Sequence, residues 1–343
     1  MKIAFITGIT GQDGSYLSEL LIEKKYKIYG IVRRNSVLYN WERLQHIRDK
    51  IILNYGDMTD GAGLSNIINN IIQQNNDFER LEIYNLAAQS HVKVSFEIPK
   101  YTTDVNALGV CNILEIIRTL PNSTKKKIRF YQAGTSEMYG DVLKVPQNEL
   151  TPFNPQSPYA AAKVYAHNMV KIYREGYGLF ACNGILFNHE SPRRGEHFVT
   201  KKIIRGVKQI FGKNTNDVLE LGNLYSKRDW GHSKDYVNGM WLMLQQEKPD
   251  DYVLATGETH TVKSFVEKAF KYKGILLRWV GEGLDEVAMD TEGKIRVKIN
   301  KKFYRPCEVD LLLGSPLKAK KVLNWERKFK TLDDLIIDMF IGE

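Results

Sequence analysis

Short apolar runs and longer amphipathic stretches take turns along the first half of the chain. KIAFIT, KIYGIV, IILNYGD, EIYNLAA, IRFYQAG and LFACNGILF read as buried strands. Between them, YLSELLIEKK, LSNIINNIIQ, VNALGVCNILEIIRTL and SPYAAAKVYAHNMVKIYREG follow helical patterns. This alternation predicts an α/β fold, a doubly wound parallel sheet with helices on both faces. YVLAT, from Tyr252 to Thr256, offers one further strand.

From about Asn188 the rhythm breaks. NHESPRRGEHF, LGNLYSKRDWGHSKDY and RVKINKKFYRPCEVD are polar, loop-like and rich in Arg, Asn and Gly. No Gly/Ser or Pro linker separates them from the strand series, so the boundary should be interleaved. The chain is expected to divide into a nucleotide-binding part at 1–187, with a returning segment near 232–260, and a smaller substrate-facing region at 188–343. FGKNTNDV, Phe211 to Val218, is an insert-like stretch with no chemistry assigned to it.

A chain of 343 residues with 43% hydrophobic and 26% charged positions is long enough for a large core. The net charge of +9 fits anionic partners, but apart from Lys125-Lys126-Lys127 the basic residues are scattered. Aromatic residues do not interleave with them as an RNA-binding sheet requires, so no nucleic-acid partner is expected. Cys111, Cys182 and Cys307 are far apart and odd in number, with neither metal-ligand nor disulfide spacing. A reducing, cytoplasmic setting follows from that usage, and no metal or membrane partner is expected.

The first candidate site is G-I-T-G-Q-D-G. It places Gly8, Gly11 and Gly14 directly after the first strand and into the first helix. Glycines there permit a tight turn and let backbone N–H groups approach a pyrophosphate. The spacing is GxxGxxG, which resembles the short-chain dehydrogenase/reductase superfamily and a Rossmann-type sheet. The second strand runs into Arg33, Arg34, Asn35 and Ser36, where NAD-selective sites offer an acidic residue. Two guanidinium groups suit the 2′-phosphate of NADP. Asp57 ends the third strand as an adenine contact. Leu86, Ala87, Ala88 and Ser90 follow the fourth, where that superfamily passes the cofactor backbone.

The second candidate site is Y-A-A-A-K. Tyr159 and Lys163 stand four apart on one helix face. A cation beside a phenol should lower the Tyr pKa toward that of a general base. Thr135 and Ser136, at the end of the fifth strand, are placed to bond a sugar hydroxyl whose proton Tyr159 removes. Glu137 sets the chemistry apart. Oxidation at C4 of a sugar acidifies the C5 proton, and a carboxylate can take that proton and deliver one to a departing C6 hydroxyl. A C4 epimerase needs no such base.

GITGQDGSYL, VRRNS, LAAQSHV, TSEMYG, SPYAAAK, ACNGILFNHESPRRGE, RDWGHSKDYV and RPCEVD together resemble the GDP-mannose 4,6-dehydratase family over almost the whole chain. The resemblance implies a hydro-lyase that forms GDP-4-keto-6-deoxymannose with NADP recycled, on a route to GDP-fucose, GDP-rhamnose or a related 6-deoxyhexose. It implies that Thr135, Glu137, Tyr159 and Lys163 are catalytic. It further implies that Asn188, Glu190, Arg194, Lys202, Arg228, Arg305 and Glu308 surround GDP-mannose, with Ser90, Ser136, Leu221 and Gly222 in the same wall. The cofactor set takes in Thr10, Gln12, Asp13, Met58, Tyr101, Leu186, His189 and Arg194 as well, with Tyr159 and Lys163 shared. In the family the segment after VRR reaches a neighbouring subunit, so a tetramer or dimer is implied, with Arg33–Ser36 near the neighbour. Where members commonly show Ser-Thr-Ser-Glu, this chain has Gly134 before Thr135. The alternative within enzymes is another NADP-linked nucleotide-sugar epimerase or 4-keto reductase; outside them, it is a non-catalytic NADP-sensing module.

Overall fold

Alternate residues along each central strand face opposite sides of the sheet, and here both sides are apolar. In β1 (Lys2–Thr7), Ala4 and Ile6 enter one apolar cluster while Ile3 and Phe5 enter another. Such a strand is stable only with helices on both faces, and parallel pairing supplies them through its crossovers. A computed structural model describes residues 1–34, 41–212, 217–304 and 307–342. Its main sheet holds β1, β2 (Lys27–Val32), β3 (Ile51–Tyr55), β4 (Arg80–Asn85), β5 (Ile128–Ala133), β6 (Ala181–Leu186) and the strand Asp251–Leu254. All neighbours pair parallel, in the order Asp251–Leu254, β6, β5, β4, β1, β2, β3.

The strand order reverses at β1, whose neighbours are β4 and β2. At such a point the loops leaving adjacent strands diverge, and a crevice opens beyond the strands' carboxyl ends. One side of the sheet is covered by α1 (Gln12–Glu23) and the helix Ser233–Met243, through Leu17, Leu21, Val237 and Met240. Helices Gly61–Gln74, Gly109–Thr119 and Pro158–Tyr177 cover the other. The last of these is well delimited. Ser157 caps it by accepting from the Ala160 amide at 3.1 Å, Pro158 opens it, and Gly178 closes it at φ +65°.

The region read as polar and loop-like has a core of its own. Strands Arg278–Val280, Val287–Met289, Ile295–Ile299 and Leu219–Leu221 form a four-stranded sheet. Helices Val199–Gly212, Val262–Tyr272 and Leu332–Ile341 bury Ile203, Val207, Phe265, Phe270 and Met339 against it. Strands this short carry too little period to stand out in sequence. Chain segments cross between the two lobes, because Ser233–Met243 and Asp251–Leu254 return to the main sheet. Asn35, Ser36 and Arg305 lie outside the described residues, as do 213–216 within the insert-like stretch. Among the described residues no helix is long and apolar enough to cross a membrane.

Candidate functional site

The loop after β1 lies backbone against backbone on the loop after β4. Gly8 has φ +68°, and a Cβ there would stand 2.8 Å from the Ala87 nitrogen; a Cβ on Gly14 would stand 2.4 Å from the Gly8 oxygen. No side chain caps α1, so its first-turn N–H groups are left for an anion. A cleft of about 570 Å³ opens over this loop. Its wall includes Gly8, Thr10, Gly11, Gln12, Asp13, Gly14, Arg33, Asp57, Met58, Leu86, Ala87, Ala88, Ser90, Tyr101 and Arg194. The cradle therefore fits a dinucleotide, with a glycine turn for the pyrophosphate and Arg33 at one end.

A buried polar chain ties the strand ends beneath the cleft. Thr7 Oγ1 donates to Asn85 Oδ1 at 2.6 Å and accepts the Leu86 and Ala87 amides at 3.1 and 3.0 Å. Asn85 Nδ2 donates to Gln132 Oε1 at 2.7 Å, and Gln132 Nε2 to the Ala133 carbonyl at 3.0 Å. Lys163 Nζ donates to that same carbonyl at 2.8 Å.

Several residues of the expected cofactor set stand behind the wall. His189 Nδ1 meets the Phe187 carbonyl at 2.8 Å and Nε2 meets Asp13 Oδ2 at 2.7 Å. Both partners accept, so the ring is the imidazolium. Burial works against that charge, yet the Asp13 carboxylate outweighs it and lifts the His189 pKa. Burial likewise pushes Asp13 up, but the His189 cation and the Ser233 hydroxyl carry it down to about 2. Leu186 is buried in the core. Arg34 lies with its guanidinium carbon 5.5 Å from the Tyr55 ring centre, away from the cleft wall.

A second cavity, of about 280 Å³, joins the cleft at Ser90, His91, Arg194, His197 and Phe198. Thr135, Glu137 and Tyr159 line it from the side of the main sheet; Asn188, Glu190, Lys202, Leu221, Gly222, Arg228 and Glu308, also expected there, line it as well. Ser136 is buried off the wall. A short turn positions Glu137, whose amide donates to Thr135 Oγ1 at 3.2 Å. Glu190 is buried; its Oε2 takes the Thr200 hydroxyl at 2.5 Å and lies 3.0 Å from Arg194 Nε. It therefore orients Arg194 from within the wall.

The expectation of a lowered Tyr159 pKa is not met by the protein alone. Burial, with the Glu137 charge adding to it and a hydrogen bond with Thr135 opposing it, lifts the phenol to about 12. Lys163 is pulled down to about 8 by burial alone, and its Nζ lies 5.9 Å from the Tyr159 ring centre. For both groups the largest cause is the hydration lost on burial.

Four residues near the cofactor cleft escaped the sequence reading. Arg43 donates to the Thr10 carbonyl at 3.2 Å, and Arg193 to Ser15 Oγ at 3.0 Å and Glu19 Oε1 at 2.5 Å. His91 and His197 meet edge to face with ring centres 6.3 Å apart. The signal was motif membership for three of them, His91 in LAAQSHV and Arg193 and His197 in NHESPRRGEHF; Arg43 lay in none of these motifs.

The family model for GDP-mannose 4,6 dehydratase matches residues 5–339. The chain belongs to the GDP-mannose 4,6-dehydratase family. It is 54% identical to the GDP-mannose 4,6 dehydratase of Drosophila melanogaster, over 98% of this chain and 85% of that protein. It is 52% identical to GDP-mannose 4,6 dehydratase 2 of Caenorhabditis elegans, over 100% of this chain and 89% of that one. Among solved structures, UDP-glucose 4-epimerase of Thermus thermophilus in complex with NAD superposes with a TM-score of 0.76 at 23% identity, covering 100% of this chain and 99% of that one. That likeness is one of fold.

Proposed function

We propose that the chain converts GDP-mannose to GDP-4-keto-6-deoxymannose and water, with NADP as a recycled cofactor. The observation that carries this reading is the grouping of Thr135, Glu137 and Tyr159 on one wall of a cavity that opens onto the glycine-loop cleft. When bound, the nicotinamide supplies the acceptor and donor of one hydride. Tyr159 takes the proton of the sugar C4 hydroxyl, and Thr135 holds that hydroxyl in place. Lys163, fixed on the Ala133 carbonyl, holds the charge that favours phenolate. Glu137 then takes the C5 proton, now acidified by the C4 ketone, and protonates the departing C6 hydroxyl. With the hydride returned to C6, C5 regains one proton, matching in count the one Tyr159 took from the C4 hydroxyl, so bonds and electrons would balance with one water released.

Arg194 and Arg228 suit the diphosphate through forked donation, with Lys202 as a point charge beside them. Arg33 supports NADP over NAD, because it lines the cofactor cleft where the 2′-phosphate would sit. The main sheet with its returning strand forms the cofactor part, and the second lobe most of the nucleotide-sugar part. Assembly into dimers or tetramers is proposed with it. The test is a mass spectrum of GDP-mannose incubated with the protein and NADP. A product lighter by one water, with no net NADPH, is expected. An unchanged mass with altered sugar configuration would mean an epimerase instead.

A further inference from the structure

Gly222, Asn223 and Ser226 form one stretch of the substrate cavity wall. The chain that carries them is held from outside. Lys263 N–H donates to the Leu224 carbonyl at 2.8 Å and Val262 N–H to the Ser226 carbonyl at 3.2 Å. Both amides belong to the first turn of the helix Val262–Tyr272, where they have no partner within the helix. Between these two contacts Tyr225 turns away from the cavity. Its hydroxyl lies 2.9 and 2.8 Å from the two carboxylate oxygens of Glu286.

Glu286 is buried at 3% exposure, just before the strand Val287–Met289. Besides the phenol it takes the Lys263 ammonium at 2.7 Å. That ammonium also lies 4.5 Å from the Trp279 ring centre and 5.3 Å from that of Tyr225. A carboxylate buried this far is retained only if its charge and lone pairs are used. Here they fasten three elements behind the Gly222–Ser226 loop, and Glu286 itself is not on the cavity wall.

We infer that Glu286 is a positioning residue: through Tyr225 it sets the Gly222–Ser226 loop and so the grip on the nucleotide end of the substrate. The inference rests on reading this cavity as the GDP-sugar site. Thr135, Glu137 and Tyr159 fix the sugar end at the main sheet, which leaves the second-lobe wall to the nucleotide. Loosening that wall weakens binding without moving the reacting groups.

The test measures GDP binding by calorimetry and the steady-state constants for GDP-mannose, in wild type, Glu286→Ala, Tyr225→Phe, their double variant and Glu286→Gln. Each single change is expected to raise the Kd for GDP and the KM about ten-fold, with kcat within about two-fold of wild type. The double variant should be no worse than either single one, because both break the same contact. Glu286→Gln keeps one acceptor for the phenol and should fall between. If Glu286→Ala does not fold, Tyr225→Phe carries the test, since it only removes a hydroxyl from a half-exposed ring. Wild-type affinity for GDP in Tyr225→Phe would overturn the inference, as would a parallel fall in kcat and melting temperature with KM unchanged. Failure of the wild-type protein to bind GDP at all would instead remove the reading of the cavity on which the inference stands.

Discussion

The Glu137 amide donates to the Thr135 hydroxyl at 3.2 Å, so carboxylate and hydroxyl are set by one short turn at the end of β5. Glu137→Gln should keep that turn, because the bond uses the backbone. It should lower dehydration by at least about a hundredfold, the usual scale for removing a general acid–base. GDP affinity should stay within about two-fold of wild type. Initial rates together with calorimetry of GDP binding check both halves.

Arg33 lines the cofactor cleft and donates to the Tyr101 hydroxyl, which stands on the same wall. The phenol holds the guanidinium at the cleft wall. Arg33→Ala should weaken NADP binding by roughly ten- to a hundredfold and leave NAD binding nearly unchanged. Fluorescence titration with each dinucleotide gives the ratio directly.

Burial pulls Lys163 from the usual lysine value of 10.5 down to about 8. Below pH 8 the folded chain must hold a buried ammonium, so the group opposes folding there. As pH rises from about 8 to 10.5, the folded form has lost its proton while the unfolded form keeps it, and stability rises. Lys163→Met should therefore be inactive yet melt higher than wild type at pH 7 without nucleotide, by an amount on the order of 1–3 kcal/mol. The gap should narrow toward pH 10. Thermal melts across pH 6–10 read it.

Thr7 is fully buried and serves three partners at the cleft floor. Thr7→Val keeps the shape and strands the Leu86 and Ala87 amides. A loss of about 1–3 kcal/mol in denaturant unfolding is expected, as for buried polar groups left without partners.

Much of this was legible in the residues themselves. The two-sided apolar strands marked where strands and helices alternate along the chain, because burial on both faces leaves a mark from Ile3 to Ile6 of KIAFIT and in its counterparts. GITGQDG and YAAAK were legible because turn and helix spacing are local. What escaped was set by distant partners. Gln12 and Ser191 are 179 positions apart and hydrogen bond at 2.8 Å, and nothing near either residue announces it. Glu190 lines the cavity as expected, but its bond to Thr200 and its place beside Arg194 were set by the fold and not by its neighbours in sequence. The Tyr159 shift went the other way from expectation because spacing reveals a neighbouring cation but not how deeply both groups are buried.

The most direct test of the account follows one atom. GDP-mannose carrying deuterium at C4 is incubated with the protein and NADP, and the product is analysed for mass and label position. The account predicts loss of one water, deuterium at C6 and no label in free NADPH. Deuterium still at C4, or released in NADPH, would contradict it.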